Sequence, residues 1–166
     1  SFTPPIPGVD GDWVRDAWKV LAGEQKVSGR VAIIGGGVVG CETAEHLGAQ
    51  GYKVSVVEMQ KQIASGLSTT ILPTMLENFR AFGVEQYTGH KVMEIAAGQL
   101  ICTDKDGRVV KIACDNVVIA SGARPVAFET EGLVSQGVEV VMVGDCREVG
   151  DISQATKTGY DAANAL

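Results

Sequence analysis

Residues Val31–Gly40 read VAIIGGGVVG, and a second apolar run, KVSVVE over Lys53–Glu58, closes on a carboxylate. An apolar strand that runs straight into glycines and then into a helix is the opening unit of a dinucleotide-binding α/β sheet. Gly35 permits the tight turn out of the strand, Gly36 and Gly37 bring bare backbone to the ligand, and Gly40 lets the helix lie close to the sheet. The N–H groups of Gly37, Val38 and Val39 then face the phosphates. They have no partner inside the helix, and the helix dipole adds partial positive charge there, so a diphosphate is favoured. Glu58 lies at about the spacing of ~20 residues expected for the acid that accepts hydrogen bonds from the adenosine ribose.

Glycine spacing alone is weak in a chain with 21 glycines. The context strengthens it: Val38, Thr43, Ala44 and Leu47 follow at helical period, and Gly51 stops the helix. The bland alternatives are an ordinary glycine-rich turn and, for Glu58, a solvated strand end. The nearest functional rival is a methyltransferase, whose strand-turn-helix also receives an adenosine on an acidic residue.

Outward from this unit the chain alternates. Asp12 caps a short helix in which Trp13, Val14, Ala17, Trp18 and Leu21 share a face, ended by Gly23, with both tryptophans as packing anchors. Strand Val31–Ile34, a helix over 38–50 and strand Lys53–Glu58 follow. Ser68 or Thr69 opens another helix with Pro73 in its first turn, a buried stripe of Ile71, Leu72, Met75, Leu76, Phe79 and Phe82, and Gly83 as its stop. Val84–Tyr87 makes a third parallel strand. Lys91–Ile95, Gln99–Thr103 and Arg108–Ala113 then alternate, with Asp106-Gly107 as a hairpin turn, and predict an antiparallel meander. Asn116–Ala120 returns to the parallel sheet, and a final strand Val138–Val143 leads through Gly144-Asp145 to a helix over 152–166. The predicted fold is thus α/β: a Rossmann-like parallel sheet with helices on both faces and a three-stranded meander as one crossover.

The 166 residues are 45% hydrophobic, enough for one good core, and carry a net charge of −6. Scattered Lys and Arg on an acidic chain argue against a nucleic-acid partner. No apolar run approaches the ~20 residues of a membrane span and no signal peptide is visible, so a cytoplasmic location is expected. The opening SFTPPIPGVDG, without a methionine, suggests a piece of a longer chain. Cys41, Cys102, Cys114 and Cys146 contain no CxxC and, with His46 and His90, no zinc spacing. All four read as buried thiols; Cys41 is singled out because a helix N-terminus lowers a thiol pKa. His46 and His90 receive no role.

The stretches IIGGGVVGCETAEHL, VVIASGARP and VMVGDCREVGDISQATKTGYDAA, with the meander between the first two, resemble the pyridine-nucleotide half of flavoproteins with two dinucleotide-binding domains. More narrowly, they resemble the C-terminal region of the enoate reductase, 2,4-dienoyl-CoA reductase and NADH oxidase branch of the old yellow enzyme family. The resemblance implies that residues 1–26 end the first half of a split FAD domain, that 27–127 form the NAD(P)-binding domain, and that 128–166 belong to the second FAD-domain half. It implies that Asp145 holds the ribityl-phosphate part of FAD, that the following helix points its N-terminus at the flavin, and that Glu42 contacts the nicotinamide amide. Met59 beside Glu58, and Ser121 and Gly122 in SGARP, complete the cofactor set; Arg124 either pairs with a phosphate or faces water. The FAD fingerprint, an FMN barrel and an iron-sulfur cysteine cluster are missing from the 166 residues, so FAD, FMN and the cluster belong to the full-length protein.

The expected activity is delivery of hydride from NADH to FAD, the missing FAD-domain half and barrel being its partners. A carboxylate ~4 Å from a 2′-phosphate costs roughly 4 kcal/mol per unit charge at an effective dielectric near 20. NADH is therefore expected over NADPH, with Lys53 or Lys61 offsetting part of that cost. The alternative is a docking module that holds ADP without a redox role.

Overall fold

The computed structural model describes residues 1–165 and divides into two compact units, Ser1–Gly122 and the remainder from Ala123. The first unit is built on a five-stranded, all-parallel sheet. Its strands are β1 (Val14–Asp16), β2 (Arg30–Ile34), β3 (Lys53–Glu58), β4 (Glu85–Thr88) and β8 (Asn116–Ile119), in the spatial order β1-β8-β2-β3-β4. The meander β5 (Lys91–Ala96), β6 (Gln99–Thr103) and β7 (Val109–Ala113) forms a separate antiparallel sheet.

Alternation along the strands sends side chains to two different layers. Val31 and Ile33 pack with Val54, Val56 and Val118 against helices α1 (Ala17–Leu21), α2 (Val38–Ala49) and α3 (Leu72–Phe82), through Val20, Cys41, Ala44, Leu47, Met75 and Phe79. Ala32 and Ile34 pack with Val57, Val117 and Ile119 against the inward residues of the meander, Val92, Ile95, Leu100, Cys102 and Ile112. The Rossmann-like class and the meander crossover are as expected; in this unit the second face is covered by the meander where helices were expected. Such a sheet buries both faces either way, which is why β2 and β8 are almost continuously apolar.

The lead-in differs more. Val14–Asp16, read as helical, pair in parallel with Val117–Ile119, and only Ala17–Leu21 are helical, with Asp16 as N-cap. Trp13 packs into the meander-side core, whereas Trp18, expected as a second packing anchor, is 54% exposed. Helix α3 begins at Leu72, later than Ser68 or Thr69, and of its expected stripe Ile71 and Phe82 are exposed while Met75 and Phe79 are buried. Gly83 does end it, in the left-handed conformation at φ 70.

In the second unit Val138–Val143 form no strand; α4 (Glu131–Val134), a 3-10 turn Gly144–Cys146 and α5 (Ile152–Ala163) are its regular elements. Strand formation needs a hydrogen-bonded neighbour, and among the described residues of the unit none pairs with this run. The expected helix end at Leu166 lies outside the described residues. Asp151 caps α5 through a capping box with Gln154.

Candidate functional site

The site lies at the carboxyl ends of β2 and β3. Gly35 leaves β2 at φ 105, a conformation L side chains rarely adopt, and a Cβ there would stand 2.5 Å from Ala120 O. A Cβ on Gly40 would stand 1.9 Å from Gly35 O, so α2 rests directly on the turn only because Gly40 has no side chain. Gly37 caps α2 without a side-chain hydrogen bond, and a Cβ on it would meet nothing within 4 Å. The space beside the Gly37 Cα is therefore open, and the first-turn amides of Val38 and Val39, which have no carbonyl inside the helix, follow it in the chain.

Glu58 reaches this loop. Its Oε2 accepts the Gly36 N–H at 2.6 Å and its Oε1 accepts the Gln60 N–H at 2.7 Å. The acid and the glycines thus form one constellation, and the carboxylate is oriented by main chain on both oxygens while lone pairs remain for further donors. Together these groups offer an anion cradle and, beside it, an acceptor for hydroxyls. That is the chemistry an adenosine diphosphate requires, so the residues present fit the group.

Other expected residues are placed as follows. Met59 is exposed beside Glu58. Ser121 donates through Oγ to Phe2 O at 3.4 Å, and Gly122, at φ 98, accepts the Phe2 N–H at 2.8 Å, so Ser121 and Gly122 are tied to the lead-in. Glu42 is exposed and lies beyond the first turn of α2. Asp145 sits in the second unit, where its Oδ1 accepts the Gly150 N–H at 3.2 Å; Arg124 falls in that unit as well.

The emphasis on Cys41 is overturned. Its thiol donates to Gly36 O at 3.3 Å, and burial pushes its pKa up to about 11, with Glu58 and Glu42 adding to the rise. Desolvation outweighs the helix dipole, so the thiol is a packing group. Among the described residues no group of three or more His, Cys, Asp or Glu is placed to hold a metal, and no helix is long and apolar enough to cross a membrane.

Two residues escaped the sequence reading. In the segment after Glu58, Ile63 and Ala64 are buried against the glycine loop, and the Ala64 N–H donates to Gly36 O at 2.6 Å. The only available signal was an apolar pair inside a polar, aperiodic stretch.

Residues 1–141 match the pyridine nucleotide-disulphide oxidoreductase family. The chain belongs to this family. It is 48% identical over its whole length to a bilirubin reductase of Mediterraneibacter gnavus, covering 26% of that protein. It is 36% identical over 97% of its length to an NADH oxidase of Thermoanaerobacter brockii, again covering 26%. Among solved structures, a 2-naphthoyl-CoA reductase superposes over 99% of the chain and 25% of its own length with a TM-score of 0.87 at 26% identity. The chain therefore spans about a quarter of the length of its relatives, and the likeness to old yellow enzyme-type flavoproteins holds.

Proposed function

We propose that this chain is the NADH-binding domain of a multidomain FAD- and FMN-dependent oxidoreductase of the enoate or dienoyl-CoA reductase type. The observation that carries the reading is the Glu58 carboxylate bonded to the Gly36 amide, beside the open face of Gly37. The loop amides take the pyrophosphate, Glu58 takes the ribose hydroxyls, and Ser121 and Gly122 border the path toward the nicotinamide. Glu42 and Met59 line that nucleotide, and Asp145 takes the ribityl-phosphate part of FAD in the full-length protein. When bound, the nicotinamide supplies a hydride that the FAD of the full-length protein accepts; this chain's share is placement.

NADH is favoured over NADPH because a 2′-phosphate would meet a carboxylate whose two oxygens are already fixed by Gly36 and Gln60. A second reading rests on the same geometry: the assembled groups recognise the adenosine diphosphate half, which ADP also presents. Titration of the chain with NADH, NADPH, ADP and FAD, followed by NADH consumption in the full-length protein, separates the two. Binding of NADH with consumption supports the first reading, ADP binding without consumption the second, and tight FAD binding to the chain would contradict both.

A further inference from the structure

We propose that Ile63 and Ala64 form a positioning latch that aims the Gly37 amide into the nucleotide crevice, an inference that rests on the nucleotide-binding reading above. Gly36 is held on both sides of its Cα. Its N–H goes to Glu58 Oε2, while its C=O receives the Ala64 N–H at 2.6 Å and the Cys41 thiol at 3.3 Å. The chain contains no cis peptide among the described residues, so the Gly37 N–H points opposite to the Gly36 C=O. Holding that carbonyl on the 63–64 segment therefore turns the next amide away from that segment, at a residue whose Cβ position is open.

The latch is specified by more than one contact. Ala64 is buried and is the only non-glycine described with positive φ, at 55, a conformation that persists only where the surroundings enforce it. Ile63 enforces it from the neighbouring position. It is buried in the helix-side core, and its Cγ2 lies 2.8 Å from where a Gly36 Cβ would be, so the methyl closes against the glycine backbone. No helix or strand runs through 59–66, and the Gly36 carbonyl and this packing supply the register that regular structure would otherwise give. Preorganised donors raise affinity because the ligand need not order them.

The test uses the 166-residue chain, NADH and ADP calorimetry, and amide exchange followed by NMR. In the wild-type chain the Ala64 amide is expected to be protected, and more so with NADH bound. Ile63→Ala is expected to weaken NADH and ADP about tenfold, the worth of one misaimed donor to a charged group, and to speed Ala64 exchange. Ile63→Val keeps the Cγ2 methyl and is expected to retain wild-type affinity, although it too loses buried carbon. A folded Ile63→Ala with unchanged affinity, an Ile63→Val as weak as Ile63→Ala, or a wild-type Ala64 amide exchanging like that of exposed Lys61 overturns the latch alone. A wild-type chain that binds neither nucleotide removes the underlying reading as well.

Discussion

Gly37 caps α2 and Gly40 lies in its first turn, three residues on, and the same substitution at each should fail in opposite ways. At Gly40 a Cβ would stand 1.9 Å from Gly35 O and 3.0 Å from Gly35 C, both main chain, so α2 must retreat and carry buried Cys41, Ala44 and Leu47 with it. Overpacking against rigid backbone costs about 3 kcal/mol or more, which for a unit of this size lowers Tm by roughly 10 °C. At Gly37 the new methyl meets nothing within 4 Å, and its φ of −69 suits any residue. The loss is that of a poorer N-cap, about 1 kcal/mol. The methyl nevertheless stands where the pyrophosphate must approach, so Gly37→Ala should raise the NADH Kd by roughly 10- to 100-fold, the equivalent of about 1–3 kcal/mol. Thermal unfolding by circular dichroism and NADH calorimetry on the two variants check this. Wild-type affinity in Gly37→Ala would refute the placement of the diphosphate, and a larger Tm loss at Gly37 than at Gly40 would refute the packing argument.

Glu58→Arg should shift preference toward NADPH by replacing repulsion with attraction at the 2′ position, and comparison of the two Kd values measures it; equal wild-type affinities for NADH and NADPH would count against Glu58 at the ribose. At pH 8, Cys41, Cys102 and Cys114, each pushed up to about 11 by burial, are thiolate in roughly one molecule in a thousand. Only Cys146, half-buried where a buried thiol was expected, should label rapidly with a maleimide until the chain is unfolded, and rapid labelling of Cys41 would contradict its packing role. Asp115, held down to about 2 by the Arg30 guanidinium and the Arg30 N–H, favours folding at pH above its unfolded value near ~3.9 and loses that contribution as pH falls through about 2. Asp115→Asn should therefore flatten the acid limb of a Tm-against-pH curve between those values.

What the sequence revealed and what it hid divides along the range of the interactions concerned. The strand before Gly35, the helix after it and the stop at Gly83 are set by residues a few positions apart, and periodicity exposes them. Val14–Asp16 owe their extended form to Val117–Ile119, a hundred residues away, while the spacing of Trp13, Ala17 and Leu21 satisfies a helix equally well. The apolar run Val138–Val143 misleads in the converse direction, since its pattern suits a strand but no strand pairs with it among the described residues. Ala64 carries no pattern at all: its backbone angle is dictated by a carbonyl that precedes it by twenty-eight positions.

Glu58 links these scales, because specificity and loop geometry reside in one side chain. Its Oε2 satisfies a part-buried Gly36 N–H, and stranding that donor costs about 1–3 kcal/mol, so removal of the carboxylate disturbs the cradle before any nucleotide arrives. Converting such a site from NADH to NADPH is then not a matter of charge alone. A cation at position 58 repels nothing on the 2′-phosphate but leaves Gly36 and Gln60 without acceptors, and Gly36 keeps only the bonds at its carbonyl, from the Ala64 N–H and the Cys41 thiol. The gain in NADPH affinity should accordingly fall short of the full electrostatic difference, while affinity for ADP, which carries no 2′-phosphate, should fall in the same variant. That joint outcome distinguishes an acid that merely repels phosphate from one that also builds the turn.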